Sequence, residues 1–417
     1  MVSDPLLISS SDNKGGAARA TFRLHQGLKQ RDINSQMLVQ NKISDDEDVI
    51  GPRSRLGELY STFRFYADYL PIAPWYIASR GSMKNFSSGW LPDRLDKKIA
   101  SIDPEIVHLN WIVGFMKPET VAEINCPIVW TLHDMWPFTG GCHYSGDCKR
   151  YEVSCGSCPV FSSNREHDLS RWVWNRKQKA WSDVSPTIVA PSEWLANCAR
   201  SSALFEDTRV EVIPYGIDTE TFRPVDNQTA RAMFDLPSEK NFIMFGSGYN
   251  TPRKGFSYFV DALEVLADRG WDDTIELAIF GSMEPDDIPD LPFDTHVLGF
   301  LNDDQLRNAY SAVDMTVIPS VEDNLPNIVM ETLACGTPCV GFDVGGIPDM
   351  IDHQENGYLA DPGDPHDLAS GIEFVLDHPN RSLGEHAREM VKTRFDKNHI
   401  IDRHISLYDE ILANREN

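Results

Sequence analysis

PSVEDNLPNIVMETLACGTPCV, residues Pro319 to Val340, decides how this chain folds. The apolar run Met315 to Ile318 ends just before it, and Pro319 to Asn324 form a polar loop. Pro326 sits where a first helical turn tolerates a missing N–H. A short helix is therefore expected from about Pro326 to Cys335. Gly336 would cap it, and Pro338 would forbid its continuation before the next strand, Cys339 to Phe342. Strand, loop, short helix and strand again belong to a parallel α/β sheet.

The same segment sets two carboxylates, Asp323 and Glu331, eight residues apart. At about 1.5 Å rise per residue, Glu331 lies roughly 7 to 8 Å down the axis from the free N–H groups at the helix start. That is close to the reach from a nucleotide's diphosphate to its ribose hydroxyls. The unpaired amides and dipole of the helix start would receive the phosphates, with Asn324, Leu325, Pro326 and Asn327 as donor contacts, Glu331 would accept from ribose, and Asp323 would face a sugar. The layout suits a nucleoside-diphosphate sugar. The alternative is that Asp323 merely caps the helix and Glu331 is a solvated helix residue.

Outward from this segment, short β-rich runs alternate with helical patterns. Leu6 to Ser10, Met37 to Val39, Ile106 to Leu109, Ile128 to Leu132 and Thr187 to Ala190 read as strands of a first domain. Asn241 to Phe245, Glu276 to Phe280, His296 to Leu298, Met315 to Ile318 and Cys339 to Phe342 read as strands of a second. Ala17 to Gln30 reads as a helix after a Gly15–Gly16 loop, and the domain boundary falls near Pro214 to Pro224. Between Lys42 and Asp103 runs a stretch that is first polar and then rich in aromatics from Tyr60 to Trp75, read as inserted helices and loops serving an acceptor.

The chain has 417 residues, 41% hydrophobic, which suits two domains with separate cores. The longest apolar stretches, such as LPIAPWYIA (Leu70 to Ala78), fall short of a bilayer span. The N-terminus lacks a basic region followed by an apolar core, so a cytoplasmic protein is expected. A net charge of −25 would repel nucleic-acid backbones. An anionic nucleotide sugar needs a local positive site, which Arg253, Lys254 and helix N-termini would supply.

Several separated motifs resemble the retaining glycosyltransferases of family GT4. They are PYGIDTETFRP (Pro214 to Pro224), RKGF (Arg253 to Phe256), VGGIPDMI (Val344 to Ile351) and ENGYLADPGD (Glu355 to Asp364). In the first half, GGAARA (Gly15 to Ala20), IVHLNW (Ile106 to Trp111) and TLHDMWPFTGGCHYSGDC (Thr131 to Cys148) resemble a subgroup making bacterial surface polysaccharides of the colanic-acid type. The resemblance implies the GT-B fold, with two Rossmann-like domains facing a deep cleft. It places 1–214 on the acceptor side with 395–417 crossing back onto it, and 215–394 on the nucleotide-sugar side. Gly246 is a further candidate donor contact, and in such a cleft the Gly15–Gly16 loop would approach the donor phosphates or the acceptor, a plain tight turn being the equal rival. Two positions depart from the family pattern: Asp323 stands where Glu is usual, with Glu322 one place out of register, and Tyr249 stands where Arg is common, with Arg253 beside Lys254.

The loop after the strand ending at His133 is the second chemical centre. His133 lies at the carboxyl edge where open α/β sheets place ligands, and it resembles the family's active-site His. Its expected role is a hydrogen bond to the transferred sugar. Asp134 is a weak candidate for orienting it, because adjacent strand residues point to opposite faces. Asn110, Trp111, Trp136 and Thr139 are candidate acceptor contacts, with core packing as the rival reading for the aromatics. Retaining transfer passes through an oxocarbenium-like state with a nucleoside diphosphate leaving. Lys254 and Arg253 would meet its charge. By family resemblance, attack is from the front face, with no metal or other cofactor in catalysis.

Three further features carry expectations. Cys142, Cys148, Cys155 and Cys158 cluster in one loop, which a structural zinc, disulfides or free thiols would each explain. SRWVWNRKQKAW (Ser170 to Trp181) sets Trp174 and Trp181 seven apart among basic residues. It reads as a core-packing helix or as a peripheral contact with the inner face of the plasma membrane. The acidic strings Asp45 to Asp48 and Asp286 to Asp287 read as solvated surface. The resulting function is a glycosyltransferase acting on a saccharide or lipid-linked saccharide. Its rivals are a nucleotide-sugar epimerase of the same fold and a non-catalytic nucleotide-sugar or saccharide-binding protein.

Overall fold

The structure, a computed structural model, describes residues 4–415 apart from 53, 75–85, 248–250, 284–285, 287 and 379. Tyr249, Asp287 and the end of the LPIAPWYIA run lie outside the described residues. The chain divides into two compact units. One comprises the residues up to Pro214 and again from Ile400, and the other runs from Tyr215 to His399.

The first unit is built on seven strands: β1 (Pro5–Ser11), β2 (Gln36–Asn41), β3 (Val49–Ile50), β4 (Ile106–Leu109), β5 (Ile128–Thr131), β6 (Thr187–Ala190) and β7 (Val210–Val212). They pair in parallel in the order β3-β2-β1-β4-β5-β6-β7. β1, β4 and β5 are buried throughout, and alternate residues feed two cores, one on each face of the sheet. That is why these strands read as continuous apolar runs. The stretch from Ile400 onward packs on the second of these cores through Ile400, Ile401, Leu407 and Tyr408. There the Tyr408 hydroxyl is hydrogen-bonded to His108 Nδ1 at 2.5 Å, and His108 Nε2 to Thr131 Oγ1 at 2.7 Å.

The second unit repeats the scheme with β8 (Asn241–Ser247), β9 (Ile275–Gly281), β10 (Thr295–Gly299), β11 (Met315–Ile318), β12 (Cys339–Phe342) and β13 (Gly357–Ala360). The order is β10-β9-β8-β11-β12-β13, again parallel. The helix between β11 and β12 spans Asn327–Ala334, with Pro326 as N-cap and Cys335 as C-cap, one residue shorter at each end than its sequence suggests. β3, β7 and β13 have no counterpart in the sequence reading. Each lies at a sheet edge and is at most four residues long. β7 is half-buried throughout and β13 in two of its four residues, so neither shows an apolar run.

Among the described residues no helix is long and apolar enough to cross a membrane. The 45–48 string differs from a solvated surface at one position. Asp46 is largely buried and Lys29 Nζ sits 2.9 Å from its Oδ1 and 2.6 Å from Asp48 Oδ2.

Candidate functional site

In the second unit, the chain leaves β11 at Ile318 and enters the loop that holds Asp323. Two glycines fix the path of that loop. Gly255, which follows Lys254, has φ +71°, and a Cβ there would fall 1.6 Å from the carbonyl oxygen of Pro319. Gly345 has φ +58°, and its Cβ would fall 1.9 Å from the carbonyl oxygen of Asp323. Only glycine fits either place. The amide of Val321 donates to the Arg253 carbonyl at 2.9 Å and that of Gly346 to the Asp323 carbonyl at 3.0 Å, so the loop is bonded on both sides.

Within this frame three charges converge. Lys254 Nζ lies 2.6 Å from Asp323 Oδ2, and Arg253 Nη1 lies 3.2 Å from Asp323 Oδ1 while also donating to the Glu322 carbonyl at 2.5 Å. Ser320 Oγ donates to the same carboxylate at 3.2 Å, and the Asn324 amide does so at 3.1 Å. Burial alone would raise the Asp323 pKa, but Lys254 and Arg253 outweigh it and hold the carboxyl below its ordinary value. Asp323 thus gathers two cations of higher exposure, leaving a net positive cluster. Its oxygens accept from these partners, and the same carboxylate is the one the sequence aims at a sugar.

Glu331 sits one turn into the 327–334 helix and is buried, with Tyr310 Oη donating to its Oε2 at 3.1 Å. It is not the solvated residue of the alternative reading. Asn324, Leu325 and Pro326 are also buried, while Asn327 is half-buried with its Oδ1 unpartnered among the described residues. Pro326 offers no side-chain cap to the helix start, where the Val329 amide donates to the Pro326 carbonyl at 3.0 Å. Gly246, near the end of β8, lies under Ile328 of the first helical turn.

In the first unit, Gly15 and Gly16 are exposed between β1 and the Gly16–Gln30 helix, and the space beyond the Cβ position of Gly15 is open. Nearby, Asp12 is fully buried and accepts from the amides of Ile43 and Ser44, at 2.8 to 3.0 Å. His133 follows β5 with its Nε2 3.1 Å from Asn110 Oδ1. Burial lowers its pKa to about 4 against the raising effect of Asp134, so the imidazole is neutral at pH 7. Asp134 serves a different histidine. Its Oδ2 accepts from His143 Nδ1 at 2.6 Å and from Trp111 Nε1 at 2.9 Å, and its Oδ1 from the Trp136 amide at 2.9 Å. His143 Nε2 in turn lies 3.1 Å from Ser87 Oγ. Burial would raise the Asp134 carboxyl, but His143 and these donors keep it low.

Trp111 is half-buried beside this group. Asn110, Trp136 and Thr139 are buried, and the last two are committed to the loop. Trp136 Nε1 donates to the Ser87 carbonyl at 2.9 Å and Thr139 Oγ1 to the Cys142 carbonyl at 2.6 Å. Lys177 holds the same turn. Fully buried, it donates to the carbonyls of Trp136 and Thr139, with its ammonium 3.8 Å from the centre of the Trp136 ring. The helix carrying it, Leu169–Trp181, therefore faces the core, and Trp174 and Trp181 are buried with it. The membrane reading of Ser170 to Trp181 is overturned by this burial.

The four cysteines of the loop, Cys142, Cys148, Cys155 and Cys158, are free thiols. Burial pushes Cys142 and Cys158 up and Cys155 up to about 11. Cys155 Sγ accepts from the Gly140 amide at 3.0 Å. Among the described residues no group of three or more His, Cys, Asp or Glu side chains is arranged to hold a metal ion.

Two family models match the chain, Glycosyltransferase Family 4 over residues 14–221 and Glycosyl transferases group 1 over residues 239–378. Among curated proteins, the D-inositol 3-phosphate glycosyltransferase of Acidothermus cellulolyticus is 30% identical over 224 residues, 50% of this chain and 50% of that protein. The protein of the same description from Mycolicibacterium smegmatis is 26% identical over 385 residues, 83% of this chain and 80% of that protein. The match thus spans half the length of the first relative. Among solved structures, sucrose-phosphate synthase from Thermosynechococcus elongatus aligns with a TM-score of 0.71 at 19% identity, over 99% of this chain and 100% of that chain. Anabaena HepE, solved in complex with UDP and glucose, aligns with a TM-score of 0.65 at 15% identity, over 97% of this chain and 99% of that chain. This likeness is one of fold, GT-B, with two parallel Rossmann-like sheets.

Proposed function

The chain belongs to the family 4, group 1 glycosyltransferases, matched in both of its halves, and on that premise we propose that it is a retaining enzyme. It moves a sugar from a nucleoside-diphosphate sugar to a hydroxyl of a saccharide acceptor, of the lipid-linked kind used in surface polysaccharide synthesis. The observation that carries this reading is the cluster that Arg253 and Lys254, on the 252–254 turn, form with Asp323 of the loop leading into the 327–334 helix, with Glu331 buried on that helix.

In this reading the helix amides receive the phosphates, and Glu331 accepts from the ribose hydroxyls. Arg253 and Lys254 stabilise the charge that develops on the leaving diphosphate. Asp323 keeps both cations on the same spot. The acceptor oxygen bonds to the anomeric carbon on the face from which the diphosphate departs, the carbon–oxygen bond to phosphate breaks, and the hydroxyl proton passes to the departing phosphate oxygen. No step is assigned to a metal ion. His133, neutral by burial, donates to or accepts from a hydroxyl of the transferred sugar and does not act as nucleophile.

Nucleotide release from a panel of nucleoside-diphosphate sugars, with and without saccharide acceptors, tests this. Release that depends on acceptor, with the anomeric configuration kept in the product by NMR, is the expected result. A sugar changed in configuration without release would instead mark an epimerase, and binding without turnover a carbohydrate-binding protein.

A further inference from the structure

The Arg55–Ala67 helix, RLGELYSTFRFYA, is inside out. Leu56, Leu59, Phe63 and Tyr66 are 79%, 66%, 62% and 68% exposed, and Tyr60 and Leu70 are exposed with them. At about 100° per residue these positions fall within one stripe roughly a third of the way round the helix. The opposite, buried side is polar. Ser61 gives its carbonyl to Gln40 Nε2 at 2.9 Å, and Arg64 donates to the carbonyls of Pro92 and Phe115. Asp68, just beyond the helix, is buried as well. A helix in water buries its apolar side, so the reversed pattern marks a face shaped for an apolar surround.

Cations border that face on a chain whose net charge is −25. On the helix Arg55 and Glu58 are both exposed, so the cationic border comes from the neighbouring wall. A cavity of about 710 Å³ is lined by Tyr60 of the stripe together with Arg64, Arg94 and Lys98. Arg94 and Lys97 are exposed. Asp93, the carboxylate on the same wall, is taken up by the amides of Leu95 and Lys117 and by Thr120 Oγ1. Aromatic and aliphatic side chains flanked by Arg and Lys suit one solvent boundary, the surface of an anionic lipid bilayer. A second copy of the chain is a poorer occupant. It would bring like cations together, and a helix of 13 residues, about 20 Å long, offers less than the roughly 800 Å² per partner that stable pairs bury.

We propose that the 55–70 segment is a membrane-docking surface, with Leu56, Leu59, Phe63 and Tyr66 entering the headgroup boundary of an anionic bilayer and Arg94 and Lys98 meeting lipid phosphates. The proposal does not rest on the donor site. It is tested by co-sedimentation of the full chain with phosphatidylglycerol vesicles and with phosphatidylcholine vesicles, at low and high salt. Wild type is expected to partition onto phosphatidylglycerol at least tenfold better than onto phosphatidylcholine, and to lose most of that preference in high salt. Leu59→Ser with Phe63→Ser, and separately Arg94→Gln with Lys98→Gln, should each lower partitioning at least tenfold with unchanged thermal melting. Failure of wild type to sediment with phosphatidylglycerol, or wild-type partitioning by both double variants, overturns the proposal. So does a wild-type dimer in solution that the Leu59→Ser, Phe63→Ser variant abolishes, since a second copy then covers the face.

Discussion

The Lys254 ammonium and the Asp323 carboxylate meet at 2.6 Å, and that contact makes Asp323 the anchor of a cationic cluster. The pairing makes the carboxylate a stability element as well as a functional one.

Because the folded state holds the Asp323 pKa below its ordinary 3.8, the carboxylate contributes stability above about that pH and loses it as pH falls through the folded value. Asp323→Asn should cost about 1 to 3 kcal/mol at pH 7, since two cations lose their partner and the amide is still buried. The urea midpoint of the variant, followed from pH 7 to pH 2.5, should fall less steeply in its acid limb than that of wild type.

Lys254→Ala should slow turnover about 100-fold or more, the loss seen when one donor to a developing charge is removed. Arg253→Ala should do less in the same assay, as its guanidinium also serves the Glu322 carbonyl. Steady-state kinetics should place the Lys254 effect mainly in kcat, and an unchanged kcat would refute its assignment.

Glu331→Gln keeps the Tyr310 contact in shape but removes the charge that accepts from a ribose diol. Donor affinity, measured by calorimetry with the preferred nucleotide sugar, should weaken about tenfold, or roughly 1.4 kcal/mol. Tyr310→Phe should weaken it less.

His133 has a folded pKa of about 4 against 6.5 for an ordinary imidazole. Unfolded chains therefore take up its proton first, and stability should fall as pH drops from 6.5 toward 4, by up to about 3 kcal/mol. In His133→Gln that portion of the pH dependence should vanish. The wild-type rate should show no titration of this residue between pH 5 and pH 8.

Lys177→Met should destabilise the protein by about 2 kcal/mol, because the carbonyls of Trp136 and Thr139 lose their donor. Burial lowers the Lys177 pKa to about 7, so the cost of burying its charge applies below that pH and is relieved as pH rises from 7 toward 10.5. Melting temperatures across that range should rise in wild type relative to the Met variant.

The interior strands were legible because a parallel sheet covered on both faces writes itself as unbroken apolar runs, as in MTVI and CVGF. The helix at 327–334 was legible from Pro326 and Gly336. Three edge strands were not, being short and half wet. The pairing of Asp134 with His143 left no signal, since residues nine apart on a loop meet only through the turn that Lys177 supports. Trp174 and Trp181 showed a helical face, but a spacing of seven does not say whether that face meets the core or the solvent. The same limit hid the reversed helix at 55–67, whose aromatics were visible while their outward direction was not.

Gly255 and Gly345 press against main-chain carbonyls at the two ends of the 319–323 segment, so the course of that loop is set by its neighbours and not by its own side chains. Ser320 and Asp323 are buried and tied to the cluster, whereas the side chains of Val321 and Glu322 reach solvent. Replacements at 321 and 322 therefore change what the loop displays without moving the rail that displays it, which makes those two positions the place where an engineer can vary the rim of the site.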